Sequence, residues 1–120
     1  MKAAIVIRLD RQPHPKGDKM FVQHLPDGRL VCGSIAAWEG RELAVHIPPD
    51  LIVDTERSEF DWLKDPKIFN PASEGETRYH KVKEALLRSV LSYGFMAEAP
   101  EGSKEGDDVT ERLGIKYGLG

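Results

Sequence analysis

Cysteine is nearly absent from this sequence of 120 residues, in which Cys32 is the only one. A single cysteine excludes an internal disulfide and any zinc site built on several thiolates. It also favours the cytoplasm, since disulfides mark oxidising compartments. The longest uncharged apolar run covers residues 3–7, whereas a membrane-spanning helix needs about 18 apolar residues. The first residues are interrupted too soon by Arg8 for a secretory signal. We therefore expect a cytoplasmic protein without a membrane partner.

An excess of positive charge is also missing. The sequence has 17 Lys and Arg against 20 Asp and Glu, a net charge of −3, so no global basic field favours nucleic acid. The charge is uneven, because residues 78–88 carry four cations and one anion, while residues 98–112 carry six acids and two cations. Such runs are often only solvated faces.

Recognisable catalytic motifs are absent as well. The sequence contains no nucleophile elbow, phosphate-binding loop or dinucleotide fingerprint, and no two histidines stand at metal-ligand spacing. Nothing in it combines a nucleophile, a base and a group that orients the base. We therefore expect a binding module that is not an enzyme by itself and that uses no metal or cofactor.

Short strands separated by turns dominate what is present. The 120 residues, 40% of them apolar, suffice for one core, so we expect a single domain over residues 1–120. Apolar runs rich in β-branched residues predict strands over residues 3–8, 20–24, 29–32 and 43–47. Gly28 predicts a hairpin turn, because glycine takes positive φ without steric cost. This spacing is typical of a small barrel or sandwich.

Helical signals are few. Residues 59–63 predict one helical turn, residues 65–76 predict a loop, and residues 107–114 predict a short helix with Asp108 as its N-cap and Gly114 as its C-cap. Residues 79–95 are ambiguous. Apolar residues recur there at helical spacing, so the local pattern alone favours an amphipathic helix.

Four segments resemble a known family. Residues 14–22 (HPKGDKMFV) look like a His-Pro loop motif of OB-fold RNA-binding domains. Residues 40–50 (GRELAVHIPPD), 87–95 (LRSVLSYGF) and 105–117 (EGDDVTERLGIKY) are similar, in the same order, to segments of one RNA ligase family that carries an N-terminal OB domain before an adenylating domain. Parts of the pattern also resemble tRNA-binding OB domains. The resemblance covers nearly the whole chain.

Departures from that family bear on function. Ser89 stands where the family usually has Gly, and Tyr93 where Gln is common. The Lys-x-Asp-Gly signature of the adenylating domain is absent, so we expect no ligation by this chain alone. The resemblance implies a mainly β fold, a five-stranded OB-like barrel with one or two short helices. It also implies that residues 79–95 are extended, because tertiary pairing can override small differences in helix propensity.

An OB module would bind RNA through cations for phosphates and flat side chains for bases. The candidate binding residues are Lys81 and Lys83, which would share one face of a strand, together with Arg88, Lys16, Lys19, Tyr79 and Tyr93. For each of them a structural or solvated role is the alternative. We expect His14 to fasten the His-Pro loop by hydrogen bonds, Ser92 to serve a tight turn, and Trp38 and Trp62 to be packing residues.

Three functional interpretations remain open at this point. The first is an RNA-binding OB module that positions RNA or a nicked duplex, with an adenylating ligase domain as a partner in cis or in trans. The second is a protein-interaction module that docks on a nucleotidyltransferase or another protein through the acidic segment. The third is a tRNA-binding domain. Salt-dependent binding of RNA would separate the nucleic-acid interpretations from the docking one.

Overall fold

The computed structural model describes residues 2–64, 73–74 and 78–117, and in these ranges the chain is mainly β. In chain order the strands are β1 Ile5–Arg8, β2 Gln12–Pro13, β3 Met20–His24, β4 Leu30–Ser34, β5 Leu43–Ile47, β6 Leu51–Asp54, β7 Ser73–Glu74, β8 Tyr79–Val82, β9 Ala85–Leu87, β10 Val90–Ser92, β11 Phe95–Glu98 and β12 Lys116–Tyr117. The described ranges hold one helical element, a 3-10 turn over Asp61–Lys64. This element confirms the helical turn predicted around residues 59–63.

The predicted strands form where β-branched residues alternate. Strands β3 and β5 have the predicted bounds, and Gly28 reverses the chain between β3 and β4 with a φ of 88°. Residues 79–95 are extended, as the family resemblance implied and the local helical pattern did not. Strands β9 and β10 pair there as a hairpin in which Leu87 opposes Val90.

The strands are organised into four antiparallel sheets. Their orders are β1-β5-β11, β2-β3-β4, β9-β10 and β12-β6-β8-β7. Individual hydrogen bonds join some of these sheets. The Tyr93 N–H, next to β10, donates to the Leu30 carbonyl of β4 at 2.8 Å. In the described ranges the sheets do not close into one hydrogen-bonded barrel, so the five-stranded OB barrel remains a prediction.

Strand β5 lies at the centre of the molecule, and both of its faces are covered. Val45 and Ile47 point into the main apolar cluster, which also holds residues of β6, β8 and β11. Ala44 points the other way, into a second cluster with Phe21 and Val31. The side chains of Ala44, Val45 and Ile47 are all 0% exposed. The alternation along the strand thus builds two cores, one on each side of the central sheet.

The β9-β10 hairpin lies over the β3-β4 sheet. Val90 packs with Val22 and Cys32 in a third, smaller cluster. On the opposite face of the hairpin Leu86 and Leu91 oppose each other and are 70% and 53% exposed. The hairpin therefore uses one face for packing and turns the other to solvent.

The helix predicted over residues 107–114 is wrong. This segment is a series of turns, and its beginning pairs with β1, since the Val6 N–H donates to the Asp107 carbonyl and the Val109 N–H to the Ala4 carbonyl, both at 2.9 Å. Backbone committed to β1 cannot continue a helix. Asp108 still accepts bonds from the backbone N–H and the hydroxyl of Thr110, but they close a local turn and begin no helix.

Strands β2, β6, β7 and β12 fall outside the predicted strands. The pattern predicted no strand directly after residue 47, yet Pro48 and Pro49 lead into a tight turn at Asp50 with a φ of 76°, and β6 follows at once. Most of the loop predicted over residues 65–76 lies outside the described residues. Within it, β7 pairs antiparallel with β8.

Candidate nucleic-acid interface

His14 fastens the His-Pro loop to the β9-β10 hairpin. Its ring is 7% exposed, and its Nδ1 accepts a bond from the Lys16 backbone N–H at 3.0 Å. Nδ1 is therefore the unprotonated nitrogen, so Nε2–H donates to the Leu87 carbonyl, also at 3.0 Å. Both ring nitrogens are satisfied by protein groups. This geometry confirms the structural role predicted for His14.

The fastened loop places Lys16 beside the tip of the hairpin. Lys16 Nζ donates to Ser89 Oγ at 3.3 Å, across 73 positions of sequence. A Cβ added at Gly17 would stand 3.4 Å from Arg88 Cδ, so the loop packs closely on the arginine. We call Lys16, Arg88 and Ser89 the hairpin-tip cluster; all three side chains are exposed. The sequence analysis predicted both cations as binding residues, but it did not predict that they lie next to each other.

The turn of this hairpin is strained. Arg88 and Ser89 have φ values of 47° and 73°, and a two-residue turn with positive φ at both positions is of type I′. Such a turn favours Asn-Gly, and a residue with a Cβ is sterically disfavoured there. Ser89 stands where the similar ligase segment has Gly, so the sequence departure coincides with the strain.

A second basic surface lies on the β12-β6-β8 sheet. Lys81 on β8 and Lys116 on β12 both oppose Ile52 of β6, so the three side chains share one face. Tyr79 lies on the same face, 41% exposed. Lys116 Nζ stands 5.1 Å from the Tyr79 ring centroid. The pattern predicted Tyr79 and Lys81 here, but it missed Lys116, which only the pairing of β12 brings into place.

Carboxylates partly neutralise this sheet face. Arg78, whose guanidinium carbon is 5.2 Å from the Tyr79 ring, donates to both oxygens of Asp54 at 2.7 and 2.6 Å. The bond from Arg78 lowers the pKa of Asp54 to about 2. Asp50 lies between Lys2 at 2.7 Å and Lys81 at 3.7 Å. Its pKa is lowered, chiefly by the bond from Lys2.

The structure places the other candidate binding residues, Lys83 and Lys19, apart from each other. Strand β8 ends at Val82, so Lys83 lies beyond it, and the expected shared strand face with Lys81 is wrong. Lys83 is exposed in the connection to β9. Lys19 is exposed directly before β3, and its carbonyl accepts a bond from the Ile35 N–H.

Tyr93 is a packing residue in this structure. It is 9% exposed, and the Arg29 guanidinium carbon lies 4.1 Å from its ring centroid. Its carbonyl accepts a 2.7 Å bond from His46 Nε2. A base could stack on Tyr93 only after Arg29 had moved.

The neighbouring Ser92 serves the predicted tight turn, since its hydroxyl donates to the Gly94 carbonyl and accepts from the Cys32 N–H, both at 3.0 Å.

Both tryptophans pack partly against the cores, as predicted, but they also line one groove. The groove has a volume of about 520 Å³ and lies between β4, β11, the turn after β4 and the 3-10 turn. Trp62 contacts Phe95 edge to face at 5.7 Å between ring centroids, and its Nε1–H donates to the Glu59 carbonyl at 2.9 Å. No local sequence pattern indicated this groove, because its walls come from distant segments.

Neither a membrane-spanning helix nor a metal-binding cluster occurs in the part of the chain that the structure describes. None of the helices there has the length and apolar character needed to cross a membrane. Nor do residues 2–64, 73–74 and 78–117 hold a group of three or more His, Cys, Asp or Glu side chains placed to bind a metal ion.

Known structures share this fold. Over 100% of its length the chain superimposes, at a TM-score of 0.71 and 20% identity, on 36% of a single-residue variant of Naegleria gruberi RNA ligase with ATP and Mn. It also matches 36% of the Naegleria gruberi RNA ligase with PPi, over its whole length, at a TM-score of 0.67 and 20% identity. An apo variant of that ligase gives a TM-score of 0.70 at 20% identity, covering 97% of this chain and 34% of the ligase.

The comparison defines a class of fold and leaves activity open. The chain spans about a third of the length of the ligase structures that it matches, and it has an RNA ligase-related fold. No protein-family model matches the sequence, and no curated protein does. The structural similarity covers the whole chain, so the ordered segments that resemble an RNA ligase family agree with the fold.

Proposed function

We propose that this chain is an RNA-binding module of the OB-fold class, which positions RNA or a nicked duplex and forms no bond itself. The observation that carries the proposal is the convergence of the His-Pro loop and the β9-β10 hairpin. Lys16 Nζ reaches Ser89 Oγ, and both Lys16 and Arg88 are exposed. Two exposed cations at one protruding edge suit the phosphate backbone, which is recognised chiefly by Lys and Arg.

The sheet face supplies the second element of the proposal. Tyr79 offers an exposed ring, and Lys81 and Lys116 lie on the same face. Stacking of a base on an aromatic ring and attraction of phosphates to nearby cations are the two ordinary parts of single-strand binding. The similarity to part of an RNA ligase supports RNA over other polyanions, and an adenylating domain in cis or in trans would then be the partner.

The test is fluorescence anisotropy with labelled single-stranded RNA, nicked duplex and tRNA at low and at physiological salt. We expect binding that weakens as salt rises, because phosphate contacts release counterions. Preference for tRNA would favour the tRNA-binding variant of the proposal. Absence of salt-dependent binding to all three ligands would contradict it.

Charge reversal locates the interface. Lys81→Glu should weaken RNA binding, because Lys81 lies on the sheet face that also carries Lys116 and Tyr79. Lys104→Glu makes a matched control, since Lys104 is an exposed cation in the acidic segment. Equal effects of the two variants at equal charge change would point to a general electrostatic response instead of a binding surface. Melting temperatures verify that each variant is folded.

A second candidate function, docking on another protein, is favoured by one observation. Leu86 and Leu91 form an apolar pair on the solvent face of the hairpin, and contiguous exposed apolar surface is a feature of protein interaction sites. Replacing both residues with Ser would leave RNA binding intact and abolish association with a nucleotidyltransferase partner if docking were the function.

A further inference from the structure

The groove that holds both tryptophans has an aromatic and apolar interior. The sequence contains two Trp residues, and Trp38 and Trp62 both line this groove. Met20, Leu87 and Met96 contribute further apolar walls. A volume of about 520 Å³ falls within the range of small-molecule sites, which run from about 300 to 1,000 Å³. The groove can accept a flat heteroaromatic ring with its attached sugar.

Two cationic residues are sequence neighbours of residues that line this groove. Met20 follows Lys19 directly, and Leu87 precedes Arg88. The Leu87 carbonyl is also the acceptor of the His14 bond that fastens the His-Pro loop. The groove and the hairpin-tip cluster are thus built on the same two segments, the His-Pro loop with the start of β3 and the β9-β10 hairpin.

Negative charge lines another part of the wall. Glu98 pairs with Arg41, and Glu59 Oε1 accepts from Arg57 Nη2 at 2.9 Å. Burial alone would raise the pKa of Glu59, but bonds from its own N–H, Arg57 and Ser58 outweigh burial and lower it. Glu59 is therefore ionised near neutral pH. Arg41 also lines the groove, so each carboxylate is paired with an arginine. The carboxylate oxygens accept bonds from the N–H edge of a base, which a phosphodiester cannot donate.

We propose that this groove holds one unpaired nucleobase of an RNA whose backbone lies along Lys19 and the hairpin-tip cluster. The inference rests on the proposed RNA-binding function and adds the place where a base leaves the strand or its duplex. Bases on the π-faces of Trp side chains are bound without strong sequence preference, since every base offers such a face.

Intrinsic fluorescence tests this directly because both tryptophans line the groove. One titration records tryptophan emission and the anisotropy of a labelled RNA duplex with a single unpaired nucleotide. Its controls are the fully paired duplex and the same duplex with an abasic unpaired position. We expect quenching with the unpaired base and its loss with the abasic control. Affinity should fall about 5- to 150-fold in that control, the range measured for stacking of one base. Trp38→Phe and Trp62→Phe assign the quenching to one ring or to both.

A blocking variant gives a readout independent of fluorescence. Ala37 lines the groove, whereas the neighbouring Ala36 does not, and both are exposed. Ala37→Phe should remove the preference for the unpaired base over the abasic site, and Ala36→Phe should keep it. Binding by anisotropy without quenching and without an abasic penalty would overturn the groove assignment and leave the RNA-binding function standing. Flat anisotropy with all ligands would overturn both.

Discussion

The central β1-β5-β11 sheet and the β9-β10 hairpin are stabilised in different ways. Ala44, Val45 and Ile47 of β5 are 0% exposed, with an apolar cluster on either side. The hairpin turns Leu86 and Leu91 to solvent. Burial of apolar surface holds the first region, at about 25 cal/mol per Å². The second combines one packed face, where Val90 meets Val22 and Cys32, with individual polar bonds.

The hairpin's polar bonds explain how a small module can carry a binding edge. His14 joins the loop to Leu87, and Ser92 joins the hairpin to Cys32 of β4. These contacts orient Lys16 and Arg88 without burying them. Binding groups commonly lie on loops held by a rigid scaffold, and here the scaffold is the β3-β4 sheet, on which the hairpin packs.

The largest effect should come from the junction between the two regions. Gly94 has a φ of 81°, and a Cβ there would lie 2.0 Å from the Ile47 carbonyl oxygen on β5. Gly94→Ala should therefore cost about 3–5 kcal/mol of unfolding free energy, through backbone strain and a clash that cannot relax easily. The control is Gly28→Ala, at about 1–2 kcal/mol, since Gly28 has a φ of 88° but open space around it. Equal losses in urea unfolding would contradict the close packing of the junction.

Removal of the His14 ring should have the next largest effect. His14→Ala leaves the Leu87 carbonyl and the Lys16 N–H without their partner, at a cost of about 1–3 kcal/mol. His24→Ala is the matched control, because His24 is exposed on β3; it should change stability by less than about 0.5 kcal/mol. If His14 positions Lys16, only His14→Ala also weakens RNA binding. If a destabilised but folded His14 variant kept its RNA affinity, the His-Pro loop would not be part of the RNA-binding interface.

The central sheet should respond to pH through His46. Burial lowers the pKa of His46 below its ordinary 6.5, and its bond to the Tyr93 carbonyl offsets this only partly. The unfolded chain then binds the proton more readily, so stability is full above pH 6.5 and falls as the pH drops below it. His46→Gln, which keeps a donor for Tyr93 but does not titrate, should show a smaller fall between pH 7 and 5. Melting curves that change equally in both proteins would contradict burial of the neutral ring.

The smallest effect, a gain, should come from the hairpin turn. Ser89→Gly removes a Cβ at a φ of 73°, and we expect it to stabilise the protein by about 0.5–1 kcal/mol. Ser34→Gly at the end of β4 is the contrast, since a strand position gains nothing from glycine. A destabilised Ser89→Gly protein would show that the Lys16 contact to the hydroxyl outweighs the strain.

Much of the fold was predictable from local pattern. Strands β3 and β5 follow from β-branched alternation, and the Pro-Asp-Gly turn follows from glycine's access to positive φ. The helix over residues 107–114 was wrong because its cap signals are local, whereas its backbone pairs with β1. Strand β6 was missed because a double proline indicated an end, although proline also fits a tight turn between two strands.

The interface was predictable only as a set of residue types. The sequence named Lys16, Arg88, Tyr79 and Lys81, but Lys16 reaches the hairpin only through the long-range bonds of His14. The position of Lys116 beside Tyr79 depends on β12 pairing with β6. Tyr93 was a candidate by its place in the sequence, and packing under Arg29 gives it a structural role.

The salt dependence of RNA affinity shows whether the hairpin-tip cations bind phosphate. Anisotropy titrations over a series of salt concentrations give the slope of log affinity against log salt. For Lys16→Gln combined with Arg88→Gln, we expect weaker binding and a slope shallower by about 0.7–0.9 for each phosphate that is no longer neutralised. Lys104→Gln should keep the slope of the unaltered protein. An unchanged slope in the double variant, with RNA still bound, would contradict phosphate binding by these cations.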